Sequence, residues 1–360
     1  MMRPTARQLR RLIGCVALAT LALAAYADQA GAAGSPRLEA PTLAGLGYGG
    51  AFTKTSKLST TGRASLAAST WVGGRYTIGS GEAVTVYVSA TYGASDDQAR
   101  EWANWFASLP HGAELGLLTA YLAPLGEVQS ICGSGDVLGC YGGQRLVSLG
   151  DSSGGLPPAS IAAHEYGHHV ANNRSNAPWK AIDWGTKRWA TSTHICSRVS
   201  AGTAFPGDEG FNYTLNPGEG FAESYRVLVE TNGSAEGYDW PIVDATFRPD
   251  TQALAGVRED TLHPWVGATS IAIRGRFAKG RPTWTRTLAT PLDGDLRVDV
   301  GSAAGLTLRS VDGRQILARG AWNGTGGRSA TYRICGARTL QVRLNRNGAA
   351  ARFALRITIP

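Results

Sequence analysis

The alternation of hydrophobic and polar residues changes character along the chain. Ala83-Val84-Thr85-Val86-Tyr87-Val88-Ser89 reads as a strand. Ser95-Asp96-Asp97 then caps a helix that runs to about Leu109. Its Trp102, Trp105, Phe106 and Leu109 recur at helical spacing on one stripe, which predicts core packing rather than a carbohydrate platform. Leu115 to Leu122, Glu127 to Ile131 and Gln144 to Leu149 read as strand-like pieces. Ile161 to Val170 is mostly apolar; Pro157 and Pro158 suit a helix start before it and Asn172-Asn173 an end after it. Trp179, Trp184 and Trp189 fall in a helix or turn-helix, followed by a Gly/Pro loop from Gly202 to Gly210. Asn216 can cap a further helix with Pro217 in its first turn.

After about Ala268 the period becomes two. Leu296 to Val300, Leu340 to Leu344 and Phe353 to Ile359 alternate apolar and polar residues, the pattern of strands with one wet face. Asp312-Gly313 marks a hairpin between Leu306–Val311 and Gln315–Ala318. A separate β-sandwich over 268–360 follows. Arg297, Arg343 and Arg356 on its wet faces suit a solvated surface that keeps strand edges soluble. A contact with anionic glycan or cell wall is the second use for them.

At the other end, Met1 to Ala27 has the form of a secretory signal: arginines, an apolar run from Leu12 to Ala25, and a small-x-small site before Asp28. No other segment is apolar enough to span a membrane. Residues 28–80 are rich in Gly, Ala, Ser and Thr and read as an N-terminal extension or short pro-segment.

Composition sharpens this picture in two places. The net charge of +8 over 360 residues includes four arginines of the signal, and the remaining balance of about +4 is too small to argue for nucleic acid. Apart from Cys15, four cysteines remain, and an even count in an exported chain suggests disulfides. Of three pairings, Cys132–Cys140 and Cys196–Cys335 are favoured; the first closes a short Gly-rich loop and the second staples the two domains. No Cys-x-x-Cys spacing supports a cysteine-ligated zinc.

The chemistry centres on His164-Glu165-Tyr166-Gly167-His168, an H-E-x-x-H pattern. Positions i and i+4 of a helix share one face, so His164 and His168 can bind one metal ion. Glu165 can then take a proton from water activated by that metal. His169 points about 100° away and reads as a bystander. A catalytic zinc takes three protein ligands, so a third is needed. A histidine six residues after His168 is absent, since Arg174 stands there, and Gly185-Thr186 lacks the Asp that would follow in another class. A glutamate on a later helix remains. Asn216-Pro217-Gly218-Glu219-Gly220-Phe221-Ala222-Glu223 places Glu219 and Glu223 one turn apart on one face. His194 and His263 are candidates to stabilise an oxyanion from across the cleft.

H-E-Y-G-H followed by N-P-G-E-G-F-A-E resembles the gluzincin zinc metallopeptidases, and within them the branch typified by anthrax lethal factor. The resemblance covers roughly residues 84 to 230. It implies an α+β fold: a zincin-like catalytic domain over 81–265, with a mixed sheet and an active-site helix, ahead of the β-sandwich. It implies Zn2+ on His164, His168 and Glu219, Glu165 as general base, and Glu223 orienting a histidine ligand. Tyr213 matches, one residue closer to Glu219, the family's tyrosine electrophile or acid. A strand bordering the cleft would pair with an extended substrate, and Tyr141 to Leu149 is the candidate. The expected function is secreted hydrolysis of protein or peptide substrates. A secreted zinc-binding protein without turnover and a cell-wall peptide amidase are the alternatives.

Overall fold

Strict alternation builds the main sheet. In β3 (Ala83–Ser89) Val84, Val86 and Val88 are buried while Thr85 and Tyr87 face the other side. The computed structural model describes residues 36–42, 54–79, 81–133, 137–302, 304–348 and 351–360. The proposed signal, Met1–Ala27, lies outside the described residues. The sheet also contains β1 (Lys54–Lys57), β2 (Trp71–Thr77), β4 (Thr119–Ala123), β5 (Val137–Gly142) and β6 (Arg145–Leu149), in the order β1-β5-β6-β4-β3-β2. β3, β4 and β6 run parallel, whereas β2 and β5 are antiparallel to their neighbours β3 and β6. β1 lies parallel to β5 on its outer side. Residues 54–77, within the stretch read as an extension, therefore supply two of the six strands and the helix α1 (Thr60–Ala68) between them.

Helix α2 (Asp96–Ser108) starts on a capping box of Ser95 and Gln98 and buries Ala99, Trp102, Ala103 and Phe106. Phe106 meets Tyr166 of α4 (Pro158–Asn172) with ring centroids 5.9 Å apart, so both helices cover the same face of the sheet.

Three strand readings change. Glu127 to Ile131 is helical, within α3 (Leu125–Cys132), which ends on Gly133 in the left-handed region. Val128 and Ile131 are its buried positions, and a three-residue spacing puts them on one helical face where strand alternation would split them. Leu115 lies in a 3-10 turn before β4. Tyr141 to Leu149 is not one strand. Gly143 and Gln144, both at positive φ, turn β5 back into β6, as two-residue hairpin loops require. β6 is interior to the sheet, and β5 is the strand on the cleft side.

The C-terminal region is β-rich. A four-stranded sheet, β10-β16-β12-β13, faces a five-stranded one, β14-β15-β11-β17-β9. After the short hairpin of β7 (Ser175–Asn176) and β8 (Trp179–Lys180), their ranges are β9 (Thr269–Arg276), β10 (Thr283–Thr290), β11 (Gly294–Val300), β12 (Gly305–Ser310), β13 (Ile316–Arg319), β14 (Ala321–Trp322), β15 (Arg328–Ile334), β16 (Arg338–Asn345) and β17 (Arg352–Ile359). Leu296, Val298, Leu308, Val342, Leu344 and Ile357 form its apolar centre. Leu38–Pro360 make one compact unit. The two regions meet where Asp293 N–H donates to Thr191 Oγ1 at 3.0 Å and where Cys196 joins Cys335. Both expected disulfides, Cys132–Cys140 and Cys196–Cys335, are present. No described helix is long and apolar enough to cross a membrane.

Candidate metal centre

Two helices carry the site. α4 is buried along nearly its whole length because alanines and a glycine let it lie close between the sheet and α8 (Pro217–Glu230). Gly167 makes the closest approach: a Cβ there would stand 2.7 Å from Ala222 Cα. Asn216 caps α8, its Oδ1 accepting Gly218 N–H at 3.0 Å, with Pro217 in the first turn. This crossing brings His164 and His168 against Glu219 and Glu223.

Glu219 Oε2 lies 3.3 Å from His164 Nε2 and 3.4 Å from His168 Nε2. All three side chains are buried, and their ligand atoms fall within 4.8 Å of one another, so the group could hold a metal ion. Glu223 does not point at that position. Its Oε2 stands 3.0 Å from His164 Nδ1, the ring nitrogen turned away from the cluster. Arg226 in turn grips both Glu223 oxygens, at 3.0 and 2.7 Å, and donates to Asp239 O at 2.6 Å. The order Arg226–Glu223–His164 fixes one ring by its second nitrogen, as metal-ligating histidines commonly require.

The electrostatics follow from this packing. Burial pulls the His164 imidazole down, but its hydrogen bonds to Glu219 and Glu223 overcome that and raise it to about 10. Burial drives Glu219 up, yet the facing His168 and His164 hold it well below the usual carboxylate range. Glu223 is lowered too, by Arg226 and His164 against burial. A positive charge is thus favoured at the centre of the group, and a bound cation would displace a proton from it.

Glu165 is the exception. It is wholly buried, and neither carboxylate oxygen has a hydrogen-bond partner among the described residues. Burial raises its pKa well above the usual value, with His164 pulling down and Glu219 pushing further up. It has room only because β5 carries a glycine: a Cβ on Gly139 would lie 2.6 Å from Glu165 Oε1. A buried polar group without a partner is costly, so its place beside the cluster calls for a reason.

Tyr213 donates to Glu219 Oε2 at 2.9 Å, which steadies the ligand oxygen. His169 faces away, between Tyr141 OH at 3.2 Å and Glu114 O at 2.8 Å. His194 and His263 are exposed and lie outside the cluster, with His263 on Glu259. Sequence reasoning missed Arg226 and Gly139. Arg226 carried a signal, since it stands three residues after Glu223 on one helical face; Gly139 carried none, because its role depends on β5 crossing Glu165.

No protein-family model and no curated protein matches this chain. Among solved structures it is similar to the pre-peptidase C-terminal domain of a collagenase from Bacillus anthracis. That likeness has 14% sequence identity and a TM-score of 0.21, and it covers 24% of this chain and 86% of that one. It is too slight to carry an argument about function, and the reading below rests on the geometry of the cluster.

Proposed function

We propose that this chain is an exported zinc-dependent endopeptidase whose first region is a zincin-like catalytic domain. The observation that carries the reading is the buried, unpartnered Glu165 beside three converging ligand atoms. The donor set fits zinc. Two atoms each about 2.05 Å from a tetrahedral ion stand about 3.3 Å apart, and the two histidine-to-Glu219 separations are 3.3 and 3.4 Å. Zinc in such a set supplies Lewis acidity, which brings the pKa of water to about 7 and polarises a carbonyl.

The chain's own residues do the rest. His164, His168 and Glu219 would hold the ion. Glu165 accepts the proton of the attacking water and passes it to the leaving nitrogen. Glu223 and Arg226 orient His164, and Tyr213 positions Glu219. The substrates are proteins or peptides. The arginine-bearing faces of the sandwich are the part suited to contact with glycan or cell wall. Two disulfides agree with an oxidising compartment.

Zinc content measured beside casein hydrolysis, on wild type and Glu165→Gln, tests the reading. Zinc in both with hydrolysis only by wild type supports it. Zinc in both with cleavage of peptidoglycan peptides alone points to an amidase, and no turnover of either points to a binding protein. Folded wild type that takes up no zinc on metal addition overturns the site.

A further inference from the structure

A peptide that joins a sheet by strand addition needs an open edge. On the cleft side that edge belongs to β5, whose other side is paired with β6. It is already taken by the chain itself. Thr55, Ser56 and Lys57 of β1 face Gly139, Cys140 and Tyr141, and Leu58 N–H donates to Tyr141 O at 3.0 Å. The pairing lies at the metal cluster: Gly139 packs on Glu165, and Ser56, Lys57 and Leu58 share a cavity of about 230 Å³ with His168 and Glu219. Lys57 then reaches the opposite wall. Its Nζ stands 3.2 Å from Asp183 Oδ1, on α5 (Ala181–Trp184), and 3.4 Å from Glu209 Oε1.

We propose that β1 is a resident pseudosubstrate: it blocks peptide pairing with β5, and the Asp183–Glu209 pair that holds Lys57 is the subsite for a lysine or arginine side chain of the peptide that replaces it. The proposal rests on the peptidase reading for the fate of that peptide, not for its binding.

β1 is placed to leave without dismantling the domain. It pairs over only four residues, and Lys57 is half exposed, where ion pairs hold weakly. The next element is anchored separately. Ser59 caps α1, Leu58 and Leu66 are buried, and Gly62 packs against Ile131 O so closely that a Cβ would stand 2.2 Å from it. The hinge is therefore Lys57–Leu58, and the hydrogen bonds that Lys54–Lys57 give up on β5 are those an incoming strand would restore.

The test is binding in a Glu165→Gln background, where turnover does not intervene. The probe is a short fluorescein-labelled, alanine-rich peptide with one central lysine, read by anisotropy, with amide exchange of residues 137–142 measured alongside. Two variants open the edge: a chain beginning at Leu58, and full-length Lys57→Glu, which keeps the whole fold and repels Asp183 and Glu209. Both are expected to exchange β5 amides faster and to bind the probe at least about tenfold tighter, because an occupied site lowers apparent affinity by its open fraction. A probe with glutamate in place of lysine gains nothing, and Asp183→Asn with Glu209→Gln erases the lysine preference. Equal affinity of parent and Lys57→Glu, or equal binding of the two probes, overturns the proposal. Tighter binding without hydrolysis, once Glu165 is restored, leaves the pseudosubstrate standing and removes the peptidase reading. Hydrolysis equally fast in parent and Lys57→Glu does the reverse.

Discussion

Between Lys54 and Gly267 the chain carries fourteen Lys and Arg against twenty-one Asp and Glu, and from Ala268 to Pro360 it carries sixteen against four. The first region puts charge inside: His164, Glu165, Glu219, Glu223, Arg226, Glu114 and Lys187 are all buried. The second keeps it outside. Its core is aliphatic and aromatic, and among the described residues its only buried charged side chain, Asp293, sits at the junction with the first region. Burying charge costs desolvation that pairing recovers only in part. A fold built solely for stability resembles the sandwich. The first region accepts the cost where His164, His168 and Glu219 converge into a group that could hold a metal ion.

This contrast can be broken or sharpened by experiment. The largest effect is expected at Glu165. Glu165→Gln should lower peptide hydrolysis by about 10²- to 10⁴-fold, the usual worth of a general base, with zinc content and melting temperature close to wild type. A parallel loss of zinc would make Glu165 a structural group instead. Gly139→Ala tests the same carboxylate from the other side. The added methyl would meet Glu165 Oε1 at 2.6 Å and Cγ at 2.9 Å, so hydrolysis should fall while zinc stays bound.

Arg226→Met comes next. It strands Glu223 without its guanidinium, and loss of one partner of a buried pair costs about 3–5 kcal/mol. Zinc affinity, followed by competition with a chelator, should weaken about 10- to 100-fold because His164 loses its orientation. Leu344→Ala in the sandwich should destabilise by about 2–5 kcal/mol in denaturant melts yet leave zinc affinity alone. If zinc affinity fell as well, the two regions would be one energetic unit.

The smallest effect concerns Lys187 at the junction. Burial lowers its pKa to about 8, against the pull of Asp293, Asp260 and Asp295. The unfolded value near 10.4 is higher, so between pH 8 and 10.4 the unfolded chain binds more protons and this group's contribution to stability rises with pH. Below pH 8 the cost of burying the charged lysine is present in full. Lys187→Met should therefore melt above wild type at pH 7, and the gap should close as pH rises toward 10.4. A gap independent of pH would mean that the lysine has the same pKa in the folded and unfolded chains and keeps its proton when buried.

Much of this was readable from sequence because the signals were local. Asn216-Pro217 announced α8, the two prolines before Ala159 announced α4, and period-two alternation announced the C-terminal strands. The H-E-x-x-H spacing put two imidazoles on one face whatever the fold. What failed depended on distant parts of the chain. α3 looked like a strand because Val128 and Ile131 are β-formers, and only their packing places them on one helical face. The cleft strand was read as one run from Tyr141 to Leu149, across the end of β5, the turn and β6, because which hairpin arm faces outward depends on β4 pairing with β6. Nothing in Thr55-Ser56-Lys57 hints that it lies on β5, since a four-residue parallel pairing leaves no periodicity to read.

The bridge between Cys196 and Cys335 closes a ring of chain with a sequence separation of 139. That ring contains all of α8, hence Glu219, together with the peptide link into β9. The sandwich is thus fastened at two points, one covalent by peptide and one by sulfur, as a door is by two pins. A protease that nicks the exposed stretch around Val266 cuts one pin only. The pieces would separate on a denaturing gel only after reduction, and under oxidising conditions the nicked molecule would keep its accessory region tethered to the metal centre.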